Sequence, residues 1–260
     1  MAYFTPGELV AKATDAALLR SHTSVRNTLI LAFLAGAYIA LGGLLAVMVG
    51  GGMPGVAAEN PGLQKWVMGA VFPLGLILCV IGGADLFTGN TAYFVPPLLS
   101  RRMPLSALLK NWSLVYAGNF VGSLFVAYLL AFQTGLLAAS PWLESVTGIA
   151  EAKTSASFFT VFAKGIGANW LVALAVWLAF AAQDVSGKIL AIWFPVMAFV
   201  AMGFEHSVAN MFFIPVAIFY GADVTWGSFL LDNLLPATLG NIVGGSLLTG
   251  LLYGLVYGKG

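Results

Sequence analysis

The chain has 260 residues, 60% of them hydrophobic and 8% charged, with a net charge of +1. Soluble domains carry about 25% charged residues. This composition, with a mean hydropathy of +0.95, therefore excludes an ordinary soluble domain and indicates a polytopic membrane protein. The near-neutral balance says little about partners, and no nucleic-acid partner is expected; one cysteine, Cys79, excludes an internal disulfide and a cysteine-built metal site.

Residues 1–27 read as a cytoplasmic amphipathic helix rather than a signal peptide. Thr5 is its N-cap, Pro6 its first residue and Glu8 the closing member of a capping box. Leu9, Ala13, Ala16 and Leu19 give it an apolar stripe, which suits a helix lying along the membrane surface. A membrane span needs about 20 apolar residues. Six segments qualify, at 28–50, 66–99, 106–132, 157–182, 188–221 and 232–257. The second and fifth are too long for one straight helix and are interrupted at Gly83–Asn90 and Gly203–Asn210. Residues 28–257 thus form one transmembrane domain, with repeats at about 28–132 and 157–257.

Loop charges orient the spans. Lys12, Arg20, Arg26, Arg101, Arg102, Lys110, Lys188 and Lys259 all fall on one side if both termini are cytoplasmic. Lys65 and Lys153 then lie outside, where the loops hold Glu59, Glu144, Glu151 and Asp223.

The halves resemble each other. The stretch "NWSLVYAGNFVG" (111–122) matches "NLLPATLGNIVG" (233–244), and "GADLFTGN" (83–90) matches "GFEHSVAN" (203–210). More weakly, "AGAYIAL" (35–41) matches "IGANWLVAL" (166–174). Three spans per half is an odd number, so the second half is expected to be inverted. Paired breaks in inverted repeats point to a transport site between them. Non-helical backbone at membrane depth persists only where protein buries it or a watery cavity meets it. Asp85 and Glu205 are costly intramembrane acids that should face the protein interior. The helix ends at the breaks favour an anion. His206, beside Glu205, is the histidine of the membrane region and a candidate for the path. Gly36, Gly42, Gly43, Gly118, Gly122, Gly244 and Gly245 suit close helix packing, and Trp66, Trp112, Trp142 and Trp226 suit interface anchoring.

Two other classes fit less well. A neutral-solute channel should carry paired Asn-Pro-Ala motifs at the breaks, and the sequence has none. A membrane enzyme needs a nucleophile, metal cluster or cofactor site. His206 with Glu205 is thin for that, so no catalytic activity, metal or cofactor is expected.

Together "GADLFTGN", "KNWSLVYAGNFVGS", "GANWLVALAVW", "GFEHSVANMFFIP" and "ATLGNIVGG" resemble the signature segments of the formate–nitrite transporter family. The resemblance implies an all-α, aquaporin-like protomer of six transmembrane helices in two inverted repeats with helices 2 and 5 broken. It implies a homopentamer in the lipid bilayer of the cell's inner (plasma) membrane, with one pore per protomer and small monovalent anions as cargo. By motif, His206 is the central pore histidine and Thr88 its partner. Leu86, Phe87 and Thr88 form the tip of the first broken loop, near the cytoplasmic constriction. Leu76 and Phe199 match the outer constriction, with Phe72 nearby. Lys153 matches an outer-vestibule lysine, and Asn169, Glu205, Asn210 and Asn241 the polar groups behind the pore. Formate is the expected cargo, with nitrite the alternative and hydrosulfide a third candidate. Passive flow of the anion and proton-coupled passage both stay open.

Overall fold

A computed structural model describes residues 3–258; Lys259 lies outside them. The chain is all-helical. In order the helices are α1 (Pro6–Ser21), α2 (Val25–Ala46), α3 (Pro54–Glu59), α4 (Pro61–Val71), α5 (Leu74–Gly82), α6 (Phe87–Tyr93), α7 (Val95–Leu99) and α8 (Leu105–Phe125). The second half holds α9 (Trp142–Thr154), α10 (Phe158–Ala181), α11 (Val185–Ala201), α12 (Ser207–Phe219), α13 (Trp226–Ser228), α14 (Leu235–Gly245) and α15 (Leu252–Tyr257). π-helical turns extend α2 and α8 and join α13 to α14 and α14 to α15.

Five helical runs are long and apolar enough to cross a membrane: Val25–Gly51, Pro61–Gly82, Leu105–Phe132, Phe158–Ala181 and Trp226–Tyr257. The fifth predicted segment is split into two shorter apolar helices, Val185–Ala201 and Ser207–Phe219. The second is split as well, since α5 stops at Gly82 and α6 starts at Phe87. Both breaks begin the same way. Gly83 (φ 77°) and Gly203 (φ 69°) adopt the left-handed conformation that ends a helix cheaply only at glycine. The chain then runs extended to Leu86 and to His206, where the next helix begins.

Pairs of helices pack closely, α2 on α8 and α10 on α14. A Cβ on Gly122 would meet the Phe33 carbonyl, and one on Gly244 the Ile166 carbonyl. Without lipid-specific attraction between helices, such close approach supplies the packing. Gly122→Leu should force α8 off α2 and destabilise the protein by about 1–3 kcal/mol. A lowered midpoint of thermal unfolding in detergent would register it; an unchanged midpoint would show that the contact is dispensable.

The apolar stripe expected on α1 is met only in part. The buried face of α1 is Leu9, Val10, Ala13, Thr14 and Ala17, whereas Leu19 is 72% exposed. The helix is docked on the protein, against α6, α7, α8, α10 and α15, and its lead-in is tied down by the Phe4 N–H donating to the Ala181 carbonyl at 3.0 Å. Its capping box forms, with the Thr5 N–H donating to Glu8 Oε2 at 2.7 Å. Hydrogen bonds from the Thr5 hydroxyl and backbone hold the Glu8 carboxyl below its ordinary pKa. Among the tryptophans, Trp66 and Trp226 are exposed, whereas Trp142 Nε1 donates inward to the Met48 carbonyl and Trp112 packs on Phe87.

Candidate functional site

The two breaks are held by the same set of bonds. Buried irregular backbone needs partners for its N–H and C=O groups, and one asparagine per half supplies them. Asn119 Nδ2 donates to the Ala32 and Asp85 carbonyls, and its Oδ1 accepts the Phe87 N–H. Asn241 Nδ2 donates to the Gly165 and Glu205 carbonyls, and its Oδ1 accepts the Ser207 N–H. The acids are matched too. Asn90 Nδ2 joins Asp85 Oδ1 (2.8 Å) to Asn111 Oδ1 (2.7 Å). Asn210 Nδ2 joins Glu205 Oε2 (2.7 Å) to Asn233 Oδ1 (2.7 Å). Each acid also has a cation. Arg20 Nε of α1 sits 3.0 Å from Asp85, and Lys153 Nζ of α9 sits 2.9 Å from Glu205.

This pairing corrects the weakest sequence match. The hydrogen bonds set Ala32 opposite Gly165, so Gly36 corresponds to Asn169 rather than to Gly167, which the shared Gly-Ala suggests. It also makes α9 the counterpart of α1. The sequence reading had not picked out α9, because its half-polar run "WLESVTGIAEAKT" is too short and too charged to be a span.

A narrow apolar space lies where the two halves differ. The residue closing the first break is Leu86; its counterpart is His206. That space, too narrow for a water-sized sphere, is lined by Ile39, Phe72, Leu76, Leu86, Val172, Val196, Phe199 and His206. Phe72 and Phe199 meet edge to face at 5.8 Å, and Phe199 stacks on the His206 ring at 5.7 Å. Leu86 thus shares this space with Leu76 and Phe199. Phe87 does not line it: as the first residue of α6 it turns away, against Trp112 and Tyr116 of α8 at 5.9 and 4.9 Å. Leu86 is the extended cap residue and Phe87 the first residue of the helix, so the two point to different surroundings.

His206 has both ring nitrogens engaged. Nδ1 accepts the Ala209 N–H at 3.1 Å and so caps α12. A neutral ring with Nδ1 as acceptor carries its proton on Nε2, and Nε2 lies 2.9 Å from Thr88 Oγ1. His206 therefore donates to Thr88 across the break. A second ring proton on Nδ1 would face the Ala209 N–H and uncap the helix. Glu205 makes no hydrogen bond to the ring; its carboxylate is occupied by Lys153, Asn210 and Asn233. Asn169 lies behind, its Nδ2 donating to the Thr88 and Asn241 carbonyls and to Thr91 Oγ1.

Beyond the apolar space lies a cavity of about 280 Å³. Lys65, Lys153 and Lys164 line it, with Glu205 and, at its narrow end, Phe72, Phe199 and His206. Lys164, on α10, was not singled out in the sequence. The available signal was the charge distribution, since Lys65, Lys153 and Lys164 are the basic residues left once the cytoplasmic set is removed. The arrangement is a basic cup, an apolar neck and a single imidazole donor in the neck wall. In such a shape the cup would attract a small anion, the neck would strip its water and the imidazole would offer it a hydrogen bond.

Residues 7–255 match the family described as formate/nitrite transporter. A probable formate transporter of Methanothermobacter thermautotrophicus is 48% identical over 269 residues, covering 98% of this chain and 97% of that protein. A formate channel of Bacillus thuringiensis is 40% identical over 260 residues, covering 100% of this chain and 98% of the relative. Among solved structures, an FNT family ion channel superposes with a TM-score of 0.85 at 34% identity, over 95% of this chain and 96% of that one. One described as a pentameric formate channel with formate bound superposes with a TM-score of 0.78 at 33% identity, over 90% of this chain and 98% of that one. With apolar helices of membrane-spanning length and a family match over nearly all its residues, the chain is a multi-pass membrane protein that belongs to the formate/nitrite transporter family.

Proposed function

We propose that this protein is a channel for small monovalent anions with formate as its cargo. Each protomer of a homopentamer would hold one path through the inner (plasma) membrane, with both termini cytoplasmic and the two three-span repeats inverted around an aquaporin-like core. The observation that carries the reading is the basic cup ending in a narrow apolar neck with His206 in its wall. The formate transporters and channels among its relatives and the pentameric neighbour support the cargo and the assembly.

The steps follow from the side chains. An anion enters the cup, drawn by its excess of positive charge. At Phe72, Leu76 and Phe199 it sheds water, which costs several kcal/mol for a bare ion. His206 Nε2–H then donates to a formate oxygen in place of Thr88 Oγ1, and the freed Thr88 hydroxyl can donate to the same anion. Leu86 closes the neck beyond. A carboxylate is a strong hydrogen-bond acceptor, so formate suits one fixed donor in an otherwise apolar wall.

Uptake of labelled formate and of nitrite into proteoliposomes, with and without an inward proton gradient, tests the reading. Formate should enter faster than nitrite. Nitrite uptake exceeding formate would move the assignment to the alternative cargo, and absence of both would overturn it. Native mass spectrometry in mild detergent should give a pentamer; a monomer or dimer would count against the assembly.

A further inference from the structure

The cup holds three lysines, and they are not equivalent. Lys153 is spent on Glu205 at 2.9 Å, with both side chains largely buried. That pair has a counterpart at the other break, Arg20 with Asp85 at 3.0 Å. A feature present in both halves belongs to the scaffold that holds the breaks, and it leaves no net charge. Lys164 is different. It is half-buried on α10 and lines the same cup. Among the described residues its ammonium has no ion pair. Its only part in the shared bonding is its backbone carbonyl, which accepts the Glu205 N–H at 3.4 Å. The matching bond in the first half is the Asp85 N–H to the carbonyl of Leu31. The scaffold therefore needs a carbonyl at this position and no charge, since a leucine serves in the other half. Glu205 is the acid lining the cup and is already neutralised. Lys65 stands exposed at the rim.

We infer that Lys164 is the residue that concentrates the anion in the cup, and that the lysine joined to Glu205 serves the scaffold. This rests on the anion-channel reading above. A half-buried ammonium without a counter-charge is left to be neutralised by a mobile anion, and low-dielectric walls focus its field on the entrance to the neck. The attraction acts before dehydration. It raises the occupancy of the cup and leaves the barrier at Phe72, Leu76 and Phe199 unchanged.

The test measures formate influx against concentration for wild type, Lys164→Gln, Lys164→Leu and Lys164→Arg in proteoliposomes. Ionic strengths of about 0.01 M and 1 M set Debye lengths of about 30 Å and 3 Å. At the lower value, the Gln and Leu variants should raise the half-saturating formate concentration about three- to tenfold, at the low end of electrostatic focusing effects. Maximal flux should stay, the difference should vanish at high salt, and Arg should match wild type. Leu, the residue found at the equivalent position, controls for folding. Influx equal to wild type at both ionic strengths would overturn the inference. So would a loss of the same size at both, or a loss of maximal flux alone. Wild type that carries no formate would overturn the channel reading and this inference with it; wild type that conducts while Lys164→Gln is unmoved overturns this inference alone.

Discussion

Lys153→Met should lower formate influx by about a hundredfold or more at every ionic strength, because it strands a buried carboxylate beside the anion's route. The Glu205 side chain is 5% exposed and its cation lies 2.9 Å away. Removing one partner of such a pair costs about 3–5 kcal/mol, and here the uncompensated negative charge also repels the cargo. Salt screens buried charges little, so high ionic strength should not rescue the variant. The family resemblance alone, which makes Lys153 a vestibule attractor, leads to the opposite expectation of a loss concentrated at low salt. The ion pair favours the loss at every ionic strength. Adding Glu205→Gln removes the stranded charge while keeping an acceptor for Asn210, and the double variant should recover to within about tenfold of wild type, as coupled neighbours do. Influx and detergent melting of the two single variants and the double variant measure the coupling. Additive losses would show that the pair is not a unit, and a loss confined to low salt would return Lys153 to the role of attractor.

Substitutions at His206 should separate its two ring nitrogens. His206→Asn keeps an oxygen that can cap α12 in place of Nδ1, and asparagine is among the best caps. It is too short to bring a donor to Thr88. His206→Gln reaches as far as Nε2 and keeps the donor, while giving up a cap worth about 1 kcal/mol. If the neck requires one fixed donor, Gln should retain most of the influx and Asn should lose about a hundredfold, the effect of removing one preorganised donor in a water-excluded site. If passage requires the ring to hand over a proton, both variants should lose uptake driven by an inward proton gradient. Influx over pH 5 to 8 distinguishes the cases. The observed capping of α12 by Nδ1 favours the fixed donor, because a ring that takes up a second proton must first release the Ala209 N–H. Equal proton-driven loss in Gln and Asn would overturn that choice. His206→Phe should abolish influx in either case, since it removes the cap and the donor together and fills the neck.

The sequence by itself determined that the chain lives in a membrane, roughly where its apolar helices lie, and which two segments are broken. The reason is local. Each span must be apolar along its whole length to lie in lipid, and glycine, acid and asparagine at 83–90 and 203–210 violate that rule at matching places. The breaks between Gly82 and Phe87 and between Ala201 and Ser207 overlap those stretches. What each polar side chain meets was not legible there. The partner of Asp85 comes from α1 and that of Glu205 from α9, elements distant in sequence whose docking hydropathy does not encode. The stripe on α1 was misread for a related reason. Leu9 and Ala13 do face inward, but the docked face turns towards Val10 and Ala17 and leaves Leu19 outside, because the helix buries its face against other helices of the chain. Phe87 and Leu86 are adjacent in the chain, and only the direction of the first turn of α6 sends one to the neck and the other to α8. Lys164 looked like one more charge near a helix end. Its significance depends on two distances that exist only after folding, the one that commits Lys153 to Glu205 and the one that pairs its own carbonyl, like that of Leu31, with the backbone of a break. Periodicity reports which surroundings a segment can tolerate, whereas the site is made by contacts between segments, and those are settled by packing.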